Sequence, residues 1–436
     1  MSSLAEVRLW GSTVGAVALE ETGGTAVFQY DAAFADSGIE LAPLTMPLRR
    51  EPYAFAGLAH ESFHGLPGLL ADSLPDRFGN AVIDAWLARQ GRTPDSFDAV
   101  ERLCYTGTRG MGALEFAPAR GPRESVVREI EVGRLVELAA AVLSDRDALA
   151  GSLDGDGREA ALTDMLRVGT SAGGARPKAV IAWNPETDAI RSGQVHAGDG
   201  FEQWLLKFDG VSGSGDKGLR DPQGYGAIEY AYALMATAAG IEMSPCRLLE
   251  ENGRRHFMTR RFDRTADGGK LHMQSLGALC HFDYNLAGAH SYEQALLAIR
   301  RLELPIAAVE EQFRRMAFNV VARNQDDHVK NVAFLMDRDG RWRLAPAFDV
   351  TYAWEPGHRW VGSHQMSVNG KREGFVFDDL AAVARGASMA RGRAREIVAE
   401  VTAAVARWRE FATAAGVREA DAERIAAAHR LELAAA

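Results

Sequence analysis

The chain has 436 residues, 47% of them hydrophobic and 25% charged, and 49 basic against 59 acidic side chains leave a formal charge of −10. That length holds two or three structural units with ample core, and the composition is that of a globular protein. The acidic balance excludes a broad, sequence-independent coat for nucleic acid, while leaving room for a local basic patch or a DNA-binding partner.

The first 60 residues read as strands. Val7–Trp10, Val14–Leu19 and Thr25–Tyr30 are separated by turns containing Gly and Ser. Leu74-Pro75-Asp76-Arg77-Phe78-Gly79-Asn80 then leads into a helix from Ala81 to Gln90. Its apolar face is Val82, Ile83, Trp86 and Leu87, and Gly91 is its stop. Gly107 to Gly112 is a Gly-rich bend entering a strand that ends near Phe116. A boundary is expected within residues 118–150, where Pro, Gly and charge flank an amphipathic helix from Ile130 to Leu143.

Three segments beyond it belong together. Ser171-Ala172-Gly173-Gly174-Ala175-Arg176-Pro177-Lys178 is a Gly-rich loop ahead of the strand Ala179–Trp183. Such loops let backbone N–H groups approach phosphate oxygens with no Cβ in the way. The Gly-Lys-Ser/Thr order of a P-loop is absent. A second strand, Glu202–Phe208, carries Lys207, and a helix from about Gly226 to Ala239 carries Glu229. This is the order of a kinase N-lobe, in which Lys207 would meet the α/β-phosphates and Glu229 would hold it. Taken singly, Lys207 also reads as a solvated strand-end lysine and Glu229 as a helix N-terminal charge. The strand His256–Arg264 sits where a hinge between two lobes belongs.

Ser291-Tyr292-Glu293-Gln294 is a capping-box helix start. Then comes the densest motif, Asn324-Gln325-Asp326-Asp327-His328-Val329-Lys330-Asn331. Phosphoryl transfer needs a carboxylate to accept the proton of the attacking hydroxyl, and an Asn and a second Asp to hold metal ions. Asp326 and Asn331 have the kinase base-to-Asn spacing. A hairpin of Val332–Met336 and Trp342–Leu344, turning at Asp337-Arg338-Asp339-Gly340, would return Asp349 beside Asn331. Asp326, Asp327 and His328 are also compatible with one end of a hydrolytic metal site, or with a polar loop of Asx turns. A last helical stripe is Ile397, Val401, Ala404, Val405, Trp408 and Phe411. Cys104, Cys246 and Cys280 form no Cys-x-x-Cys and read as reduced, small apolar residues. Neither a leader segment nor a membrane span is recognised, so a cytoplasmic protein with no membrane contact is expected.

Together these motifs resemble the HipA family of serine/threonine kinase toxins from bacterial toxin–antitoxin pairs, over nearly the whole chain. The resemblance implies an α+β fold, with an N-terminal β-rich module over residues 1–120. A two-lobed, protein-kinase-like fold would follow, with an N-lobe over 150–264 and a mainly helical C-lobe over 265–436. It makes Asp326 the catalytic base, Asn331 and Asp349 the metal ligands, and ATP and Mg²⁺ the cofactors. Ser171, Ala172, Gly173, Gly174, Ala175, Lys178, Lys207, His328 and Lys330 would lie at the nucleotide, with Arg260, Phe262 and Asp263 at the adenine hinge. Ser171 would be an autophosphorylation site that silences the enzyme. The family often has Gln-Glu where this chain has Arg176-Pro177, and Glu where Arg260 stands, which bears on target choice. The implied partners are a HipB-like helix-turn-helix antitoxin and a protein substrate such as an aminoacyl-tRNA synthetase, with DNA reached only through the antitoxin. Two other readings stay open: a sugar or antibiotic kinase, and a degenerate kinase serving as co-repressor.

Overall fold

A computed structural model of the protein describes residues 3–19, 24–121, 130–144, 176–194, 197–211 and 223–434. It forms two compact units. The first comprises residues 1–41, 46–226 and 247–273, and the second 42–45, 227–246 and 274–436.

The first unit holds two antiparallel sheets. In the front sheet, β1 (Ser3–Leu9), β2 (Ser12–Leu19), β3 (Val27–Tyr30), β4 (Tyr53–Ala54) and β5 (Leu114–Ala117) stand in the order β4-β3-β2-β1-β5. Alternation explains its one-sided burial: Ala5, Val7 and Leu9 point inward from β1. The second sheet has β6 (Lys178–Trp183), β7 (Ile190–Ser192), β8 (Glu202–Lys207), β9 (Cys246–Glu251) and β10 (Arg254–Arg260), ordered β7-β6-β8-β10-β9. All of β6 is buried, so both its faces are covered. One face is covered by the Arg77–Arg89 helix. Its Phe78, Val82, Ile83 and Leu87 share a core with Ile181, Trp204, Leu206 and Met258. The expected Ala81 start moves four residues earlier because Asp76 caps the helix, accepting from Gly79 N at 2.6 Å.

The second unit is mainly helical. Tyr232, Phe313, Phe318, Phe334, Leu380, Ile397, Val401 and Trp408 share one core. The Tyr292–Arg301 helix begins at the expected capping box, with Ser291 and Gln294 reciprocally bonded. The C-terminal stripe divides between two helices, Arg393–Ala406 and Trp408–Ala414, with Phe411 only partly buried. A short hairpin of Ala333–Met336 and Trp342–Leu344 pairs Phe334 with Leu344. Among the described residues no helix is long and apolar enough to cross a membrane.

Candidate active site

The Asp326 loop is built by the end of a helix. Ile306–Ala322 stops at Arg323, which takes a left-handed conformation (φ 61°) and bonds its N–H to Asn319 O. The chain then runs beside the segment that follows Asp349. Gln325 N donates to Ala353 O at 3.0 Å, and Ala353 N donates to Arg323 O at 3.1 Å. Val329–Asn331 closes as one tight turn, and the Asn331 side chain returns to donate from Nδ2 to Asp326 O at 2.8 Å. Asn331 thereby spends a donor and keeps its Oδ1 acceptor.

The expected hairpin forms. Ala345 N donates to Ala333 O at 2.9 Å, which carries the chain back past the end of the loop. The strand then peels away, because Ala347 N donates instead to Glu242 O at 2.8 Å. Asp349 follows in a left-handed conformation (φ 53°), which Asp tolerates better than most residues.

Asp326 is the least constrained side chain of the loop. It is 40% exposed, and its buried Oδ1 has no hydrogen-bond partner among the described residues. His328 Nε2 lies 4.0 Å from that Oδ1. Lys330 Nζ lies 4.6 Å over the Tyr284 ring. The amide oxygen of Asn331 and the carboxylate of Asp349 are donors of the kind a hard divalent cation such as Mg²⁺ takes. Such an ion takes few protein ligands and fills the rest with water and phosphate oxygens.

Behind the loop lies a polar network that sequence reasoning missed. Asp327, next to Asp326, has no exposure and accepts three hydrogen bonds: Tyr292 O–H (2.6 Å), His364 Nδ1 (2.8 Å) and Gln365 N (2.7 Å). Burial by itself would raise the Asp327 carboxyl. His364, with the bonds from Tyr292 and Gln365, outweighs it and holds the group below its ordinary value. Arg430 Nη1 donates to the other nitrogen of His364 at 3.1 Å. An arginine can only donate, so that nitrogen is the acceptor of the pair and Nδ1 the donor to Asp327. Asn319 and Asn324 extend the network from Tyr292, at 2.9 Å per step. The adjacent Asp-Asp was visible, but nothing in the spacing tied its second member to His364 or Arg430.

The nucleotide elements expected in the first unit are partly described. Ser171, Ala172, Gly173, Gly174 and Ala175 lie outside the described residues. Arg176 follows with its guanidinium 3.5 Å over the Tyr225 ring, and Pro177 O accepts from Phe208 N at 3.1 Å. Lys178 stands opposite Lys207 across β6 and β8. Both are buried, which sets aside the solvated-lysine reading of Lys207. Lys178 Nζ sits 3.8 Å from Asp76 Oδ2, so it is drawn to the cap of the Arg77–Arg89 helix rather than outward. Glu229 is likewise buried, within the Tyr225–Ala238 helix of the second unit.

Asp209, two residues past Lys207, is a second feature that sequence reasoning missed. Its carboxylate accepts from Gly224 N (2.9 Å), Gly226 N (3.3 Å) and Arg255 N (3.4 Å), while its own N–H donates to His256 Nδ1 (2.9 Å). Burial pushes His256 down to about 4, so the ring stays neutral and can accept that bond. A Cβ at Gly226 would fall 2.1 Å from Arg255 O, which reserves the position for glycine. The end of the lysine strand is thus tied to Gly224, Gly226 and the strand β10 of its own unit.

At the hinge, Arg260 pairs with Glu202 (3.4 Å) and Arg261 N donates to Gln203 O (2.9 Å), with Phe262 partly buried in the turn beyond. Asp263 is fully buried, and both its oxygens are spent within the unit. Arg261 Nε and Nη2 (2.9 and 2.7 Å), Arg264 Nη1 (2.8 Å) and Gly112 N (2.7 Å) converge on it. It is therefore assigned to the fold and not to the nucleotide, in contrast to expectation. It anchors the Gly107–Gly112 bend of the front module to the hinge.

Fold and loop together define a chain in which a β-rich module precedes a mainly helical unit that carries the Asp326 loop. Comparison with known proteins makes this specific: the HipA N-terminal domain matches residues 5–117 and the HipA-like C-terminal domain matches residues 170–427. The chain belongs to the HipA family. Its fold superposes on a chain of the Shewanella oneidensis MR-1 toxin–antitoxin complex of HipA, HipB and operator DNA. The TM-score is 0.69 at 16% identity, over 99% of this chain and 96% of that one. A Sinorhizobium fredii protein named "Putative kinase Y4mE" is 29% identical over 125 residues, which are 27% of this chain and 30% of that protein. A Haemophilus influenzae protein, also named as a kinase of that standing, is 28% identical over 159 residues, 33% of this chain and 46% of its own. The chain thus aligns with less than half the length of either of these relatives.

Proposed function

We propose that this protein is an ATP-dependent serine/threonine protein kinase and the toxin of a toxin–antitoxin pair. The observation that carries the reading is the Asp326 loop: a partly exposed carboxylate whose Oδ1 has no hydrogen-bond partner among the described residues, its backbone clasped by Asn331. Asp326 accepts the proton of the attacking hydroxyl. Asn331 and Asp349 would hold Mg²⁺, which would supply positive charge to offset that of the phosphates. Lys207, His328, Lys330 and Ser171–Ala175 are the residues assigned to the nucleotide. The backbone at Arg260 and Phe262 accommodates adenine.

A helix-turn-helix antitoxin is the proposed partner, supported by the fold shared with the HipA of a HipA–HipB–operator complex. The net acidic charge of this chain fits DNA contact made through such a partner. A translation component such as an aminoacyl-tRNA synthetase is the proposed target, and phosphorylation of Ser171 the proposed off-switch. The test is incubation of the protein with Mg²⁺ and labelled ATP in host lysate, followed by mass spectrometry. Label on a serine or threonine of a translation protein is expected. Label confined to a sugar or drug would overturn the reading in favour of a small-molecule kinase.

A further inference from the structure

The residues around Asp326 are fixed, while its own carboxylate is not. Gln325 is bonded through its N–H to Ala353 O, through Nε2 to Val361 O (3.1 Å), and through Oε1 to Arg323 and Arg430. The Asp326 carbonyl is held by Asn331. Asp327 is wholly buried where Asp326 is 40% exposed, so the two adjacent carboxylates face opposite sides of the loop.

Three donors converge on Asp327 from parts of the chain distant in sequence. Tyr292 opens one helix, whereas His364 and Gln365 belong to the segment beyond Asp349. His364 in turn connects to Arg430, which also donates to Val320 O at 3.1 Å on the helix leading into the loop. A buried carboxylate that merely filled space would be inferior to an apolar residue of the same volume. Its use here is directional. Each of its bonds has a fixed donor, and together they leave the 326–327 peptide one orientation.

We infer that Asp327 is a positioning residue. Its carboxylate, locked by Tyr292, His364 and Gln365 N–H and linked through His364 to Arg430, sets the direction in which Asp326 presents its own carboxylate to the acceptor hydroxyl. This deepens the phosphotransfer reading and rests on it. Asp327 itself touches neither acceptor nor nucleotide.

Asp327→Asn is the sharpest perturbation, because it keeps the shape and removes one acceptor. In either orientation of the amide, its NH₂ faces a donor: Gln365 N–H on one side, Tyr292 and His364 on the other. A displacement of about 1 Å at a reacting group costs on the order of 10²-fold in rate. We expect kcat to fall roughly 10- to 100-fold, with KM for ATP unchanged and hydrogen exchange accelerated only across residues 324–331. Tyr292→Phe removes a single donor and should give a smaller loss of kcat of the same kind, and it serves if Asp327→Asn fails to fold. Wild-type kcat in either variant would overturn the inference. So would a parallel loss of ATP affinity and of exchange protection throughout the second unit, the mark of a purely structural role. If the wild-type protein transfers no phosphate, it is the kinase reading that fails. Exchange then decides alone: unchanged protection at 324–331 in Asp327→Asn overturns the positioning role.

Discussion

Replacing Asp263 with Asn should destabilise the first unit more than almost any other single change. Four N–H donors point at its two oxygens, all within 2.9 Å, and two belong to Arg261, whose side chain is 1% exposed. An amide supplies one acceptor oxygen, so at least one donor meets an NH₂. Two guanidinium groups also lose their buried counter-charge. Breaking a buried ion pair from one side costs about 3–5 kcal/mol. At about 2–4 °C per kcal/mol for a unit of this size, the melting temperature should drop by roughly 6–20 °C. The effect should also depend on pH. Burial acts to raise the Asp263 carboxyl, but Arg261, Arg264 and the Gly112 N–H overcome it and hold the folded value well below the ordinary one. The unfolded chain therefore takes up the proton first as pH falls. The contribution is complete above the unfolded value of about 3.9, is lost only as pH falls below it, and is constant near neutrality. Thermal melts of wild type and variant between pH 3 and 8 would check both the size and the sign. A loss under about 1 kcal/mol, the range of an exposed pair, would refute the argument that this triad anchors the front module.

Other expectations concern the site. Asp349→Ala should weaken Mg-ATP binding in calorimetry, whereas Asp326→Ala should leave it intact, because only the former is assigned to the metal. Mass spectrometry after incubation with ATP should find phosphate on Ser171, whose added charge of about −1.5 to −2 repels the nucleotide phosphates, and Ser171→Asp, with a single negative charge at the same place, should be inactive. Full activity of Ser171→Asp would rule out the switch. Induced expression of the wild-type protein without its partner should halt incorporation of labelled amino acids, and Asp326→Ala should not. Equal toxicity of both would indicate a non-catalytic role.

What the sequence disclosed follows from the range of the forces involved. The Ser291–Gln294 capping box, the Ala333–Leu344 hairpin and the Asp326–Asn331 spacing are local, set within a turn or two by hydrogen bonds between near neighbours. Each was legible. The Arg77–Arg89 helix begins four residues before the expected Ala81 start because the side chain of Asp76 is its cap. Asp209, Asp263 and Asp327 were beyond reach for another reason. Their roles are fixed by partners at Gly224, Gly112 and His364, brought near only by the completed fold. No periodicity marks such pairs. A buried aspartate written beside a solvent-facing one, as Asp327 is beside Asp326, looks the same in one dimension.

The most direct test of the central claim is transfer of the γ-phosphate from labelled ATP by purified wild-type protein and by Asp326→Ala, compared in the same lysate. A positioned base contributes about 10²–10⁴ in rate. The account predicts a labelled protein band with the wild type that falls by at least about 10²-fold in the variant, with ATP binding retained. Equal labelling by the two proteins would contradict it.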